Sequence, residues 1–188
     1  MANKVLFGFS DLYVGTYTVD SNGDVTMGSP YHQPGAVGFS PEANDDVNHF
    51  RADNINYYTI MGNGSLEGDL EVAMFDDDFK KNFLGYIELD DGGLAQVKNP
   101  QKPLVWLAFE IQGDVAARRV IIYNGTLGNI TRDYSTTEET AEPVTETLPT
   151  TFAGDNKTGL VMVTYEEGDA GYSTLFSNPP APSLPASS

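Results

Sequence analysis

The chain has 188 residues, in which 27 Asp and Glu stand against 10 Lys and Arg, for a formal net charge of −17. A surface this acidic repels phosphate backbones and anionic membranes, which argues against conventional nucleic-acid binding. Cysteine is absent, so disulfides and thiolate metal sites are excluded, while 40% hydrophobic residues suffice for a core and 19 Gly with 11 Pro suit a turn-rich β protein.

In chain order, no apolar stretch follows Met1-Ala-Asn-Lys4, so no secretory leader is expected, and no run is long enough to span a membrane. Lys4 to Val19 is rich in Val, Phe, Tyr and Thr and predicts a strand bent at Ser10-Asp11. Asp20 to Asp24 contains Asn22-Gly23, a tight hairpin turn into a strand at Val25 to Met27. Pro30 and Pro34 bracket an irregular passage before a short strand at Ala36 to Phe39. Pro41 to Asp53 is polar and aperiodic and reads as a long loop or an extended hairpin. A strand with Tyr57 and Tyr58 runs from Asn56 to Met61, and Gly62-Asn63-Gly64 turns the chain.

Leu66 to Val72 alternates apolar residues with Glu67, Asp69 and Glu71, the period of a half-buried strand. The single principal helix follows, near Asp76 to Leu84. Its first-turn acids and last-turn lysines complement the helix dipole, and Gly85 ends it. Phe75, Phe79 and Phe83 fall on one face at i, i+4, i+8. A hairpin around Asp90 to Gly93 comes next. The strongest strands are Pro103 to Ile111 and Val115 to Tyr123, turned at Gln112-Gly113-Asp114. Both faces of the first arm are apolar, so it sits centrally or has its second face covered by the helix. Thr131 to Thr140 reads as loop, and Pro143 to Phe152 and Gly159 to Tyr165 as strands. From Tyr134 onward Lys157 is the only base. One β domain over residues 1–177 and a mobile Pro/Ala/Ser-rich tail over 178–188 are expected.

No motif points to catalysis or a cofactor. Asp20 to Asp24 lacks the register and distal Glu of a calcium loop. Asp76-Asp77-Asp78 is explained by the helix start. His32 and His49 have no zinc spacing, and no nucleophile elbow or phosphate loop occurs. Metal, cofactor and enzymatic activity are therefore not expected. Arg118 and Arg119 are adjacent on a strand, so their side chains leave opposite faces; either one meets carboxylates of a neighbouring strand or subunit, or they form only an ordinary surface ion pair, worth roughly 0–1 kcal/mol.

Several stretches together resemble the major tail protein family, the tail tube subunits of long, flexible-tailed phages and prophages of Gram-positive bacteria. They are Met-Ala-Asn-Lys-Val-x-Phe-Gly at the start, Tyr13-Val14, Pro34-Gly35-Ala36-Val37, Phe50-x-Ala52-Asp53 and Tyr57-Tyr58. Glu67-Gly68-Asp69-Leu70-Glu71 through Phe79 to Gly85 follows. Then come Phe109-Glu110-x-x-Gly113-Asp114 with Arg118, Tyr123-Asn124, and Glu142-Pro143-x-Thr145-Glu146-Thr147-Leu148. The resemblance runs roughly to Phe152. It implies an antiparallel β-sandwich or partly closed barrel with one flanking helix. It also implies hexameric rings stacked into a tube, in a virion tail assembled in the host cytoplasm. A tape measure protein would occupy the lumen first, DNA would pass without specific binding, and tail completion and tail tip proteins would be further partners. Phe50, Arg51, Asp53, Tyr57, Tyr58, Arg118 and Arg119 are the candidate subunit-interface residues. The alternative class is a monomeric β-sandwich module binding carbohydrate or a cell surface, with Tyr57, Tyr58, Tyr123, Tyr165 and Tyr172 as stacking platforms. An acid–base hydrolase is a third, without a convergent motif to support it.

Overall fold

Two apolar layers, one on each face of a central three-stranded unit, organise the chain. The computed structural model describes residues 8–44, 48–52, 55–60, 64–111, 117–132 and 144–185, with the stretches 48–52 and 55–60 described by backbone alone. The central unit is β1 (Ser10–Val19), β10 (Val105–Glu110) and β11 (Arg119–Leu127), paired antiparallel. Around it lie β2 (Val25–Met27), β3 (Tyr31–Gln33), β4 (Ala36–Ala43), β5 (Asn48–Ala52), β6 (Ile55–Ile60) and β7 (Leu66–Val72). Helix α1 (Asp77–Leu84) follows, then β8 (Ile87–Glu88), β9 (Leu94–Ala95), β12 (Thr131–Arg132), β13 (Glu146–Phe152) and β14 (Met162–Tyr165). The main sheet runs β2-β1-β10-β11-β13-β7-β4, with β3 on β1, β12 on β13 and β14 on β11. It is mainly β, antiparallel and open, with one flanking helix, as the sequence predicts.

The strict alternation of β10 makes two cores. Val105 and Leu107 face a layer with Leu12, Val14, Leu70, Val72, Val120, Ile122 and Leu148; Phe75, just before the helix, and Phe79, Phe83 and Leu84 on it complete the layer. Trp106 and Ala108 face the other way, onto Tyr17, Ile121, Tyr123 and Leu175. The hairpin is therefore central, but the helix covers the Val105 face. The Trp106 face is covered by the turns after β14, through Leu175 and Phe176. Gly15 permits this layer, because a Cβ there would fall 2.5 Å from the Trp106 ring.

The helix ends are as the charge pattern demands. Asp76 is the extended N-cap, Asp77 and Asp78 occupy the first turn, and Gly85 closes the last turn in the left-handed region at φ 67°. Phe75, Phe79 and Phe83 form a ring stack, with centroids 4.8 and 5.1 Å apart. Glu146 on β13 braces the helix entry. Its buried carboxylate accepts the Phe75 N–H at 2.7 Å and pairs with Arg132.

Four details depart from the sequence reading. The irregular passage holds β3, three residues that pair with Leu12 to Val14. Strand β4 runs four residues past Phe39, through Pro41, which an edge strand tolerates. Strand β11 continues past Tyr123 because Asn124, at φ 56°, makes a bulge instead of a turn. The loop at Thr131 begins with β12, a short strand on β13. The bend expected at Ser10-Asp11 is a register shift with Asp11 at φ 50°. The turns expected at Gly62-Asn63 and Gln112 to Asp114 lie outside the described residues. Of the expected tail, Pro179 is buried and the Pro180 carbonyl accepts the Tyr123 hydroxyl at 3.1 Å.

Candidate assembly surfaces

The first surface is a ribbon. β4 and β7 pair from Ala36↔Val72 to Ala43↔Leu66, and the Asn44 N–H donates to Ser65 O at 2.8 Å. β5 and β6 pair antiparallel from Asn48↔Ile60 to Ala52↔Ile55, as a separate two-stranded sheet. Of Pro41 to Asp53, residues 41–43 and 48–52 are strand, in keeping with the extended hairpin of the two expectations, while 45–47 and 53 lie outside the described residues. Among the described strands β5 and β6 pair only with each other. Phe50, Arg51, Tyr57 and Tyr58 lie on these two strands, where the backbone alone is described; Asp53 lies outside the described residues.

The second surface is the outer face of β7. Leu70 and Val72 enter the core, so Glu67 and Asp69 are exposed and Glu71 is half-buried on the opposite face. Glu42 on β4 stands directly across from Glu67, and both are exposed. Across the other edge of β7 lie Thr147, Pro149 and Thr151 of β13. The result is a cluster of four carboxylates, Glu42, Glu67, Asp69 and Glu71, bordered by two threonines and a proline. Asn44 Nδ2 donates to Glu67 at 3.2 Å, and the Thr145 hydroxyl donates to Glu71. The sequence shows the β7 alternation. It does not show Glu42 opposite Glu67, because cross-strand register is a tertiary property.

Arg118 and Arg119 are both engaged within the chain. The Arg118 guanidinium donates to Glu166 at 2.9 Å. Arg119 donates to Glu110 on neighbouring β10 at 2.9 Å and to the Tyr172 carbonyl at 2.9 Å. Its guanidinium also lies 4.1 Å from the Tyr172 ring centroid and 4.4 Å from that of Phe176, a cation–π contact on each. It thereby fastens the C-terminal turns onto the Trp106 layer.

This layer also corrects the alternative reading of the tyrosines. Tyr123 is buried in the second core, where burial first and Tyr165 second raise its hydroxyl well above the usual tyrosine range. The Tyr172 ring is covered by Arg119, and the Tyr165 ring fills the space beside Gly171, where a Cβ would fall 2.6 Å away. Tyr123 is thereby excluded as a stacking platform, and Tyr165 and Tyr172 are half-buried with one face each in contact with the chain. Tyr57 and Tyr58 side chains are outside what is described.

The acidic turns have local partners. The Asp20 carboxylate accepts the N–H groups of Asn22 and Asp24, both at 2.8 Å, which closes the first hairpin. Asp155 is buried beside the second core. It accepts the Tyr17 hydroxyl at 2.7 Å, the Thr158 hydroxyl and N–H at 2.7 Å, and the Lys157 N–H at 3.2 Å. Among the described residues no group of His, Asp or Glu is placed to hold a metal ion.

The fold is an open antiparallel β architecture with a self-paired ribbon and a cluster of carboxylates on the outer face of β7. The family model described as phage tail tube protein matches residues 2–161, and the chain belongs to that family. It is a structural protein of the phage tail tube. No curated protein matches the sequence. Among solved structures the chain is similar to the anti-feeding prophage cap that terminates its tube, at 10% identity and TM-score 0.49, over 88% of this chain and 95% of that one. It is also similar to a chain of the extended sheath-tube complex of an extracellular contractile injection system, at 10% identity and TM-score 0.46, over 87% and 93%. A sheath/tube terminator of that system matches at 12% identity and TM-score 0.39, over 87% and 99%.

Proposed function

We propose that the chain is the repeating subunit of a phage tail tube. Hexameric rings stack, and the lumen they enclose holds a tape measure protein until DNA passes through it. The protein catalyses no reaction and needs no cofactor. It is assembled in the host cytoplasm and ends its life in the virion tail, between tail completion proteins and tail tip proteins. The monomeric binding module loses support because one of its five tyrosines, Tyr123, is fully buried and two more, Tyr165 and Tyr172, are half-buried against their own chain.

The acidic face of β7 carries this reading. Like charges directly opposed across a sheet cost stability, on the order of 0.2–1 kcal/mol per pair. Glu42 and Glu67 are such a pair, so the fold retains a feature that folding alone disfavours. A wall of carboxylates turned to the lumen offers no cationic contact to phosphate and holds the duplex in a hydrated passage. The ribbon 48–60 is the joint between neighbouring subunits. Electron microscopy of purified protein tests assembly, with rings or tubes expected and monodisperse small particles refuting it. Glu67→Lys with Asp69→Lys tests the lumen. Tubes should still form, and virions carrying them should eject DNA more slowly, most of all at low salt, where screening is weakest. Ejection at the wild-type rate in low salt would show that the face is not the conduit wall.

A further inference from the structure

The last part of the chain differs from the rest in charge. From Ala170 to Ser188 there is no charged side chain, in a protein that carries 27 acids and 10 bases. This arm also lies beyond the family match, which ends at residue 161. Ala170 to Ser177 is a run of turns, and the Pro-rich stretch after it is neither helix nor strand as far as Pro185.

Side chains hold the arm on the Trp106 layer. Leu175 is fully buried there. Phe176 stacks on Tyr13, with ring centroids 4.6 Å apart and planes 17° from parallel. Arg119 clasps Tyr172 and Phe176, and the Tyr123 hydroxyl fixes the Pro180 carbonyl. Among the described residues the backbone–backbone hydrogen bonds of the arm stay local. Tyr172 N–H donates to Asp169, Leu175 N–H to Tyr172, and the Ser177 and Asn178 N–H groups to Thr174. No ladder among them ties the arm to the sheet. The arm leaves β14 through Glu166 to Asp169, where Gly168 sits at φ 107° in open space.

The seat and its occupant are thus separate pieces of chain. Tyr13 and Tyr17 of β1, Trp106 of β10, and Arg119 and Tyr123 of β11 build the seat. Tyr172, Leu175, Phe176 and Pro180 of the arm fill it. A second copy carries the same seat and the same arm, so either arm makes the same contacts on either seat, the condition for domain swapping. Charge selects the second copy as partner. Two bodies at −17 repel one another, and the neutral arm is the stretch that meets the least repulsion on approach. We propose that the arm is an exchangeable element, docked on its own seat in the isolated chain and on the Trp106 layer of a second copy when two copies meet. The inference is independent of the tube-subunit reading, since it needs only two copies in contact.

The test uses full-length chains, which have no native cysteine. His32 lies against Tyr13, Ser177 follows Phe176, and both are exposed. His32→Cys therefore marks the seat and Ser177→Cys the arm, without touching the ring stack. A chain carrying both thiols should be closed on itself by a flexible bismaleimide. Equal amounts of the two single-thiol chains are then mixed and treated alike. A two-chain product should form and rise with protein concentration. It should exceed several-fold the product of Ser177→Cys mixed with Asp91→Cys, whose thiol lies on the β8–β9 turn. Arg119→Lys keeps a charge beside Glu110 but lacks the planar fork, and should lower the two-chain product. If the double-thiol chain closes and the two-chain product does not exceed the Asp91→Cys control, the arm is a strap on its own chain alone and the proposal falls. A two-chain product that Arg119→Lys leaves unchanged overturns it too, because collision and not the seat then made it. If the double-thiol chain does not close, the arm is not on its seat, which also overturns the proposal.

Discussion

Replacing Phe79 by Ala tests the packing that fixes the helix on the sheet. The ring is fully buried. It stacks on Phe75 at 4.8 Å, meets Phe83 at 5.1 Å and Tyr31 at 6.2 Å, and so anchors an aromatic row. Truncating a buried Phe costs about 3–5 kcal/mol, from lost transfer energy and the cavity left behind. The lost ring pairings add to this, so about 4 kcal/mol is a fair expectation here. With a urea dependence of about 2 kcal/mol per molar, the unfolding midpoint should drop by about 2 M. Trp106 is the sole tryptophan and lies in the opposite apolar layer, so its fluorescence reports loss of the whole fold. Ile87→Ala is the control, since that side chain is largely exposed and its loss should cost under about 0.5 kcal/mol. A Phe79→Ala midpoint within about 0.5 M of wild type would refute the aromatic row as a principal source of stability.

Glu146→Ala leaves the Phe75 N–H and the Arg132 guanidinium without their buried acceptor, and should destabilise by about 3–5 kcal/mol in the same denaturation assay. Asp155 gives the acid limb of the stability profile. Burial, the largest influence, raises its pKa, but hydrogen bonds from Thr158, Tyr17 and the Thr158 and Lys157 amides prevail and hold it below the ordinary carboxylate value. Its contribution is therefore complete above the unfolded carboxylate pKa, near about 4, and is lost as pH falls through the lower folded value. Asp155→Asn should flatten that limb, and an unchanged acid profile would remove Asp155 as its source. Deleting residues 48–60 and joining the ends with a short turn should leave a cooperatively folding monomer that forms no tubes. Normal tubes from that variant would show that the ribbon is not the joint.

The elements carried by local chemistry are legible in the sequence. The helix has acids, bases, an aromatic face and a terminal glycine, each of which acts within a turn or two. The β10 alternation predicts two buried faces, and both exist. What the sequence hides depends on distant partners. β3 is too short to show a period and exists through pairing with β1. The turns of residues 166–177 carry no pattern, and are held because Leu175 and Phe176 find the Trp106 face and Arg119 clasps Tyr172. The Lys80 stem is covered although nothing local marks the flank it lies against. Of the interface candidates, Arg118 and Arg119 prove to have carboxylates of their own chain, while the ribbon residues are placed by their strands.

Pro41 has a consequence for what the sheet edge permits. It faces Gly68 at a close crossing, where a Cβ on Gly68 would fall 2.5 Å from the Ser40 carbonyl. Because the Asn44 N–H points to β7, alternation turns residues 43, 41 and 39 toward the open side of β4. The middle one has no N–H to offer. A foreign strand drawn to this edge would find its hydrogen-bond ladder missing a rung halfway along, so zipping cannot propagate over the full length. In a crowded pool of newly made subunits, that gap penalises the indiscriminate contact, whose only asset is backbone pairing. It leaves untouched any contact that relies on shape and charge, so correct joining is favoured by the cost imposed on its competitor.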